Sequence, residues 1–186
     1  MSKSIVNTNP YPFRFEASQY PAIKPNGKGV TIDYTNFRGS RPSLQASRLR
    51  AMVFAQAGAA GVMIEDQSWP KRCGHTAGKS VVSRIEAYAR WQAAVDARKD
   101  GQDIWILART DSLIHGYDEA LTRARKAIEI GVDAVFVEAL PDRESMARLR
   151  KDLDFAMIAN IIEGGKIQNL SAKDLAELGY SLVCYP

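Results

Sequence analysis

The sequence predicts an α/β fold, a parallel sheet covered by helices, best read as an incomplete (β/α)8 TIM barrel with about five βα units. Three observations lead there. From Ser43 onward, short and nearly continuous apolar runs alternate with stretches of helical period, as buried parallel strands and their crossover helices do. A helix-end, glycine, strand, glutamate unit also recurs. Gln56-Ala57-Gly58-Ala59-Ala60-Gly61-Val62-Met63-Ile64-Glu65 is echoed by Glu129-Ile130-Gly131-Val132-Asp133-Ala134-Val135-Phe136-Val137-Glu138, and Glu177-Leu178-Gly179-Tyr180-Ser181-Leu182-Val183-Cys184 repeats its first part. A glycine at the left-handed cap and a carboxylate at the strand's carboxyl end suit a barrel, whose functional groups gather at that end. Third, an open doubly wound sheet, the alternative, should carry a glycine-rich phosphate turn, and no G-x-G-x-x-G or P-loop occurs.

Taken in order, residues 1–42 are rich in turn formers, such as Asn9-Pro10, Tyr11-Pro12, Pro25-Asn26-Gly27 and Arg41-Pro42, and read as irregular chain. A short alternation at Val30–Tyr34 is the one strand candidate there. Residues 43–186 form the partial barrel. Ser43 would cap a helix that ends at Gly58, and Gly61–Ile64 follows as a strand. A loop leads to a helix over 83–99, a strand at Ile104–Leu107 and a helix over 117–130. Strand Ala134–Val137, helix Arg143–Arg150, strand Phe155–Ala159, helix Ala172–Leu178 capped by Ser171, and strand Ser181–Cys184 complete the pattern. Five strands fall short of the eight a closed barrel needs, and an open arc leaves two bare parallel edges and an uncovered apolar interior. Self-association is therefore expected.

Composition narrows the function classes. Of 186 residues, 46% are hydrophobic and 25% charged, with no apolar run long enough to span a membrane and no signal-peptide core in Met1–Tyr20. Two cysteines do not suggest a disulfide framework, so a reducing cytoplasmic setting is expected; a mitochondrial address stays open, although arginine is sparse in the first stretch. The net charge of +4 divides unevenly: residues 1–50 hold eight Lys/Arg against two Asp/Glu, a balance of +6, and the rest is mildly acidic. These basic residues are dispersed, which argues against nucleic acid as a partner.

The chemistry gathers after the strands. Glu65, Asp66 and Gln67 follow the first, then Lys71-Arg72-Cys73-Gly74-His75; Arg109, Thr110 and Asp111 follow the second, Glu138 the third, and Asn160 with Glu163-Gly164-Gly165-Lys166 the fourth. An arbitrary cysteine is more often a packed, inert thiol. Cys73, however, sits beside Lys71, Arg72 and His75, an electropositive setting that favours thiolate chemistry. Arg109 offers either a structural ion pair with Glu65 or Glu138, or a fork for a substrate carboxylate. His115 reads as a surface residue, Cys184 as core, and Trp69 and Trp105 as packing.

Lys71-Arg72-Cys73-Gly74-His75 resembles the K-[KR]-C-G-H signature of isocitrate and methylisocitrate lyases. Ala57–Gln67, Ala108-Arg109-Thr110-Asp111, Phe136-Val137-Glu138-Ala139 and Ala159-Asn160 with Glu163–Lys166 look the same way, in the same order. The resemblance is to the isocitrate lyase/phosphoenolpyruvate mutase superfamily, in its short-form branch of methylisocitrate lyase, dimethylmalate lyase, oxaloacetate acetylhydrolase and carboxyphosphonoenolpyruvate mutase-like proteins. It implies Mg2+-dependent cleavage of a C–C bond in a small di- or tricarboxylate by a homo-oligomer. Cys73 would protonate the departing carbanion and Arg109 would clamp a carboxylate. Gly74, His75, Glu138 and Asn160 would line the substrate pocket, and Glu65 would hold the metal's water shell. The Cys-bearing loop argues against a phosphonomutase. One departure is plain: the family's Asp-rich D-x-D metal stretch has no counterpart in residues 1–42, and Asp152-Leu153-Asp154 precedes a strand, at the wrong end of the barrel. A truncated, catalytically silent relative that at most binds a ligand or partner is therefore the alternative to an active lyase or C–C hydrolase.

Overall fold

The computed structural model describes Val6–Asn7 and residues 44–73, 77–162, 164 and 170–185. Its elements are β1 (Val6–Asn7), α1 (Leu44–Gln56), β2 (Gly61–Glu65), α2 (Arg84–Lys99), β3 (Trp105–Thr110), α3 (Tyr117–Ile130), β4 (Ala134–Val137), α4 (Arg143–Asp152), β5 (Ile158–Asn160), α5 (Ala172–Glu177) and β6 (Leu182–Cys184). A short 3-10 turn, Ser112–His115, follows β3.

β2, β3 and β4 pair in parallel in chain order, as do β5 and β6, and an isolated parallel bridge between Val135 and Met157 links the two groups. Each parallel strand thus lies beside its neighbour in sequence. A doubly wound sheet would reverse its strand order partway; this arc does not, and it is the wall of a (β/α) barrel.

Alternation along the strands creates two faces. Val62 and Ile64 of β2 are buried beside Ile106, Ala108 and Thr110 of β3, their register partners or neighbours. The two aliphatic pairs belong to one core with Ala87, Trp91, Ala94 and Val95 of α2 and Ala120, Ala124 and Ala127 of α3. These helix positions recur three and four residues apart, the stripe an amphipathic helix turns to a sheet. The opposite face is the inner one. It carries Met63 and Glu65 beside their partners Leu107 and Arg109, with Phe136 next to Arg109.

Element ends follow their caps. Ser83 accepts the Glu86 N–H at 3.2 Å to start α2, and Ser171 with Asp174 forms a reciprocal capping box on α5. Gly131 and Gly179 end α3 and α5 at φ of 102° and 82°, a region where an L side chain clashes with its own backbone.

Several expectations change. β1 pairs antiparallel with β6, Val6 against Val183, so one edge of the arc is not bare. Val30–Tyr34 and Ser43 lie outside the described residues. Cys184 is exposed rather than core, because Val183 takes the buried face of β6 and Cys184 falls on the inner face beside Asn160. Trp69 is 60% exposed on the loop after β2, and Trp91 on α2 is the fully buried tryptophan.

Candidate active site

The carboxyl ends of β2, β3 and β4 form the mouth of the arc, and backbone carbonyls are pinned there first. Arg90 on α2 donates from Nη1 to the Glu65 carbonyl at 3.2 Å and the Gln67 carbonyl at 3.1 Å, and from Nη2 to Glu86 at 2.6 Å. The Trp91 indole N–H reaches the Ile64 carbonyl at 2.9 Å. One helix therefore fixes the strand end that carries Glu65.

The loop beyond β2 then folds back. Ser68 N–H donates to the Ser80 carbonyl at 2.8 Å and Val82 N–H to the Asp66 carbonyl at 2.9 Å, with an antiparallel bridge between Gln67 and Val81. Cys73 is a solvent-exposed thiol on this returning loop, and the Arg72 N–H donates to Gln67 Oε1 at 2.5 Å. Gly74 and His75 lie outside the described residues.

Beneath the mouth, Asp66 is fully buried. Its carboxylate accepts the Thr110 hydroxyl at 2.6 Å, the Asp111 N–H at 2.9 Å and Arg123 Nη1 at 3.0 Å. Burial is the largest influence on it and pushes its pKa up, against the lowering effects of Thr110, the Asp111 N–H and Arg123. Arg123 also donates to the Val82 carbonyl at 2.9 Å and to Glu119 at 2.7 Å. β2, β3, α3 and the returning loop are thus tied through one carboxylate.

Arg109 lies on the inner face among three acids. Its Nε donates to Asp111 Oδ2 at 2.9 Å and its Nη2 to Asp111 Oδ1 at 3.3 Å. Glu65 Oε2 and Glu138 Oε2 each stand 3.6 Å away, and the guanidinium carbon is 5.2 Å from the Phe136 ring centre. Burial works against the charge on Arg109, yet the hydrogen bond to Asp111 and the acids around it leave its pKa raised. For Asp111 the largest influence, burial, acts upward, but Arg109 and Lys79 together hold its pKa below the usual carboxylate value. Lys79 Nζ stands 2.9 Å from Asp111 Oδ1.

The structure therefore brings together Glu65, Arg109 and Glu138. Cys73 sits on a loop at the same end, and Asn160 lies at the carboxyl end of β5 with Cys184 as its register partner. Of the two readings offered for Arg109, the ion pair is present, with Asp111 as its nearest partner and Glu65 and Glu138 at 3.6 Å. Its nearest partner, Asp111, carried no assigned role in the sequence. The signal was there, since residues two apart on a strand share a face. Lys79 carried no local signal, because chain reversal brings it in, and Arg123 showed only its i,i+4 partner Glu119, since helix packing brings it to Asp66. Ala139, after Glu138, has φ of 64°, a left-handed conformation unusual for a residue with a Cβ.

A Mg2+ ion needs a near-octahedral set of oxygen ligands. Among the described residues no group of three His, Cys, Asp or Glu could hold a metal. Asp66 and Asp111 are saturated by cations and N–H donors, and Glu65 Oε2 is 3.0 Å from Lys71 Nζ. By themselves these residues do not fit a Mg2+ centre.

Comparison with known proteins agrees with this architecture. A family profile described as phosphoenolpyruvate phosphomutase matches residues 28–186. The chain is 39% identical over 134 residues to 2,3-dimethylmalate lyase of Eubacterium barkeri, covering 72% of this chain and 46% of that protein. It is 43% identical over 160 residues to a probable 2-methylisocitrate lyase of Corynebacterium glutamicum, covering 85% of this chain and 51% of the relative. A solved structure of oxaloacetate acetylhydrolase with the inhibitor 3,3-difluorooxalacetate superposes with a TM-score of 0.74 at 31% identity, over 77% of this chain and 49% of that one. The chain spans about half the length of the curated relatives it matches.

Proposed function

Because the chain belongs to the phosphoenolpyruvate phosphomutase family, the superfamily that also holds the isocitrate lyases, we propose that its mouth is the site of a C–C bond lyase or hydrolase. The substrate would be a small 2-hydroxy- or 2-oxo-dicarboxylate or tricarboxylate such as methylisocitrate, dimethylmalate or oxaloacetate. The observation that carries this is Arg109: a guanidinium held by Asp111 through Nε and Nη2, flanked by Phe136, with Nη1 unbonded among the described residues and offered to an incoming carboxylate.

In cleavage of a 2-hydroxy acid, the hydroxyl loses its proton and its oxygen becomes a carbonyl as the C–C bond breaks. The bonding pair passes to the departing carbon, where the adjacent carboxylate delocalises it as an enolate. Arg109 would offset the growing charge on a carboxylate, a contribution that water cannot match because its dipoles are not already aligned. Cys73 would deliver its thiol proton to the carbanion and remain as a thiolate, to which the proton released by the hydroxyl returns through solvent. Glu138, Asn160, Gly74 and His75 would contact the substrate.

Mg2+ belongs to the proposal as an ion served by Glu65 through water, with the remaining coordination coming from groups beyond those described. A homo-oligomer in a reducing cytoplasmic compartment completes the reading. The exposed Cys73 thiol suits such a compartment, and no helix among the described residues is long and apolar enough to cross a membrane.

Titration calorimetry with oxalate, with and without Mg2+, is the direct test. Metal-dependent binding is expected, and a folded protein that binds no oxalate overturns the proposal in favour of a catalytically silent relative. For a preparation that turns over, Cys73→Ser should lower kcat by at least about a hundredfold, the usual scale of a lost general acid, with the Kd for oxalate nearly unchanged. A retained rate removes Cys73 as the acid.

A further inference from the structure

Resting on the reading of Arg109 as a carboxylate clamp, we propose that Lys79 and Asp111 form a charge-compensated mount for Arg109. Lys79 is then a positioning residue that sets anion affinity at a distance. Three observations carry the idea. Asp111 is fully buried and grips Arg109 twice, at 2.9 and 3.3 Å. Lys79, with its side chain only 5% exposed, stands 2.9 Å from Asp111 Oδ1, the oxygen that also accepts Arg109 Nη2. The Asp111 N–H is in turn fixed by Asp66 Oδ1 at 2.9 Å, so the anchor has its own anchor.

Charge explains why the lysine matters. An arginine–aspartate pair alone is neutral, and an approaching carboxylate is repelled by the aspartate nearly as much as it is drawn by the arginine. With Lys79 on Asp111 the trio carries a net +1. Asp111 can then aim the guanidinium without cancelling its field. The returning loop exists in the right place for this: its backbone bonds between Ser68 and Ser80 and between Val82 and Asp66 set Lys79 over the end of β3. Glu65 and Glu138, both 3.6 Å from Arg109, make such compensation necessary, since they already lower the potential at the mouth.

The test is charge rescue, read by oxalate calorimetry on the full chain with Mg2+ present. Lys79→Gln should weaken oxalate binding on the order of tenfold, because Asp111 then cancels the charge of Arg109. Adding Asp111→Asn to it should return the Kd to within about threefold of the parent, since the amide oxygen still accepts from Arg109 and the net +1 is restored. A purely structural ion pair gives the opposite, a double variant no tighter than Lys79→Gln, and that result overturns the mount. If the parent protein binds no oxalate, the clamp reading falls instead. The mount is then decided by the NMR signal of the Arg109 Nε–H, identified by its loss in Arg109→Lys. Slow exchange in the parent and in the double variant, with loss in Asp111→Ala, supports it; rapid exchange in the parent overturns it.

Discussion

Glu119 shows how one side chain on α3 supports the mouth without touching it. Arg84 donates to it from Nε at 3.1 and 3.0 Å, and Arg123, the buried partner of Asp66, donates at 2.7 Å. Arg84 first and Arg123 after it, working against burial, bring the Glu119 pKa down from 4.5 to about 2. A carboxylate whose pKa is lower in the folded chain stabilises the fold above its ordinary pKa and stops doing so as pH falls through the folded value. Glu119→Gln should therefore be less stable than the parent by a constant margin above pH 4.5, with the margin shrinking toward about pH 2. Chemical denaturation at several pH values measures it; a margin that does not change with pH removes the charge from the explanation. Asp66, whose pKa is raised by burial, acts in the opposite sense in both proteins. Glu65, Arg109 and Glu138 were legible in the sequence because each ends an apolar run. The roles of Glu119, Arg123 and Lys79 were not, because, beyond the i,i+4 pair of Glu119 with Arg123, their partners are 35 to 57 residues away or, for Lys79, across a folded-back loop.

The helices were the easiest elements to read. Their start signals, Ser83 and Ser171, and their stop signals, Gly131 and Gly179, are local chemistry. Strand ends were harder. β3 continues past the expected Leu107 to Thr110, because Arg109 turns to the site and Thr110 finds Asp66, so neither looks like strand core. β5 begins only at Ile158, later than the apolar run suggests, and Met157 touches β4 through a single bridge to Val135. Gly179 offers an element-scale test. It has φ of 82°, and a Cβ there would come within 2.7 Å of Arg150 Nε. Arg150 cannot simply step aside, since it donates to the Leu153 carbonyl at 2.6 Å and to Asp154 at 2.9 Å. Gly179→Ala should cost about 1–2 kcal/mol, the penalty of a left-handed L residue, plus whatever Arg150 loses. The midpoint of urea denaturation reads this directly, and an unchanged midpoint refutes the steric account.

For the molecule as a whole, the open arc matters more than any single contact. Met63 on the inner face of β2 is 38% exposed, and among the described residues no strand pairs with the outer edge of β2. Both features favour burial against something else. Sedimentation velocity should show species heavier than the 20.6 kDa monomer, with the fraction rising with concentration. A single monomeric boundary at high concentration contradicts this. Strand order and the identity of the mouth were readable from the alternation of elements and the Gly–strand–Glu repeat. The β1–β6 pairing was not, because two residues of a turn-rich segment carry no periodicity, and only the distant Val183 gives them a partner.

Asp66 also sets the terms on which this sequence can vary. Its carboxylate is shared by Thr110, the Asp111 N–H and Arg123 at full burial. A neutral residue at 66 would leave the buried Arg123 with Glu119 as its remaining carboxylate, and an apolar one at 123 would leave the buried Asp66 carboxylate without its cation. Neither position has an easy single step away from its present identity. Lineages that abandon this design would have to replace both partners together, so substitutions at 66 and 123 should be inherited as a pair.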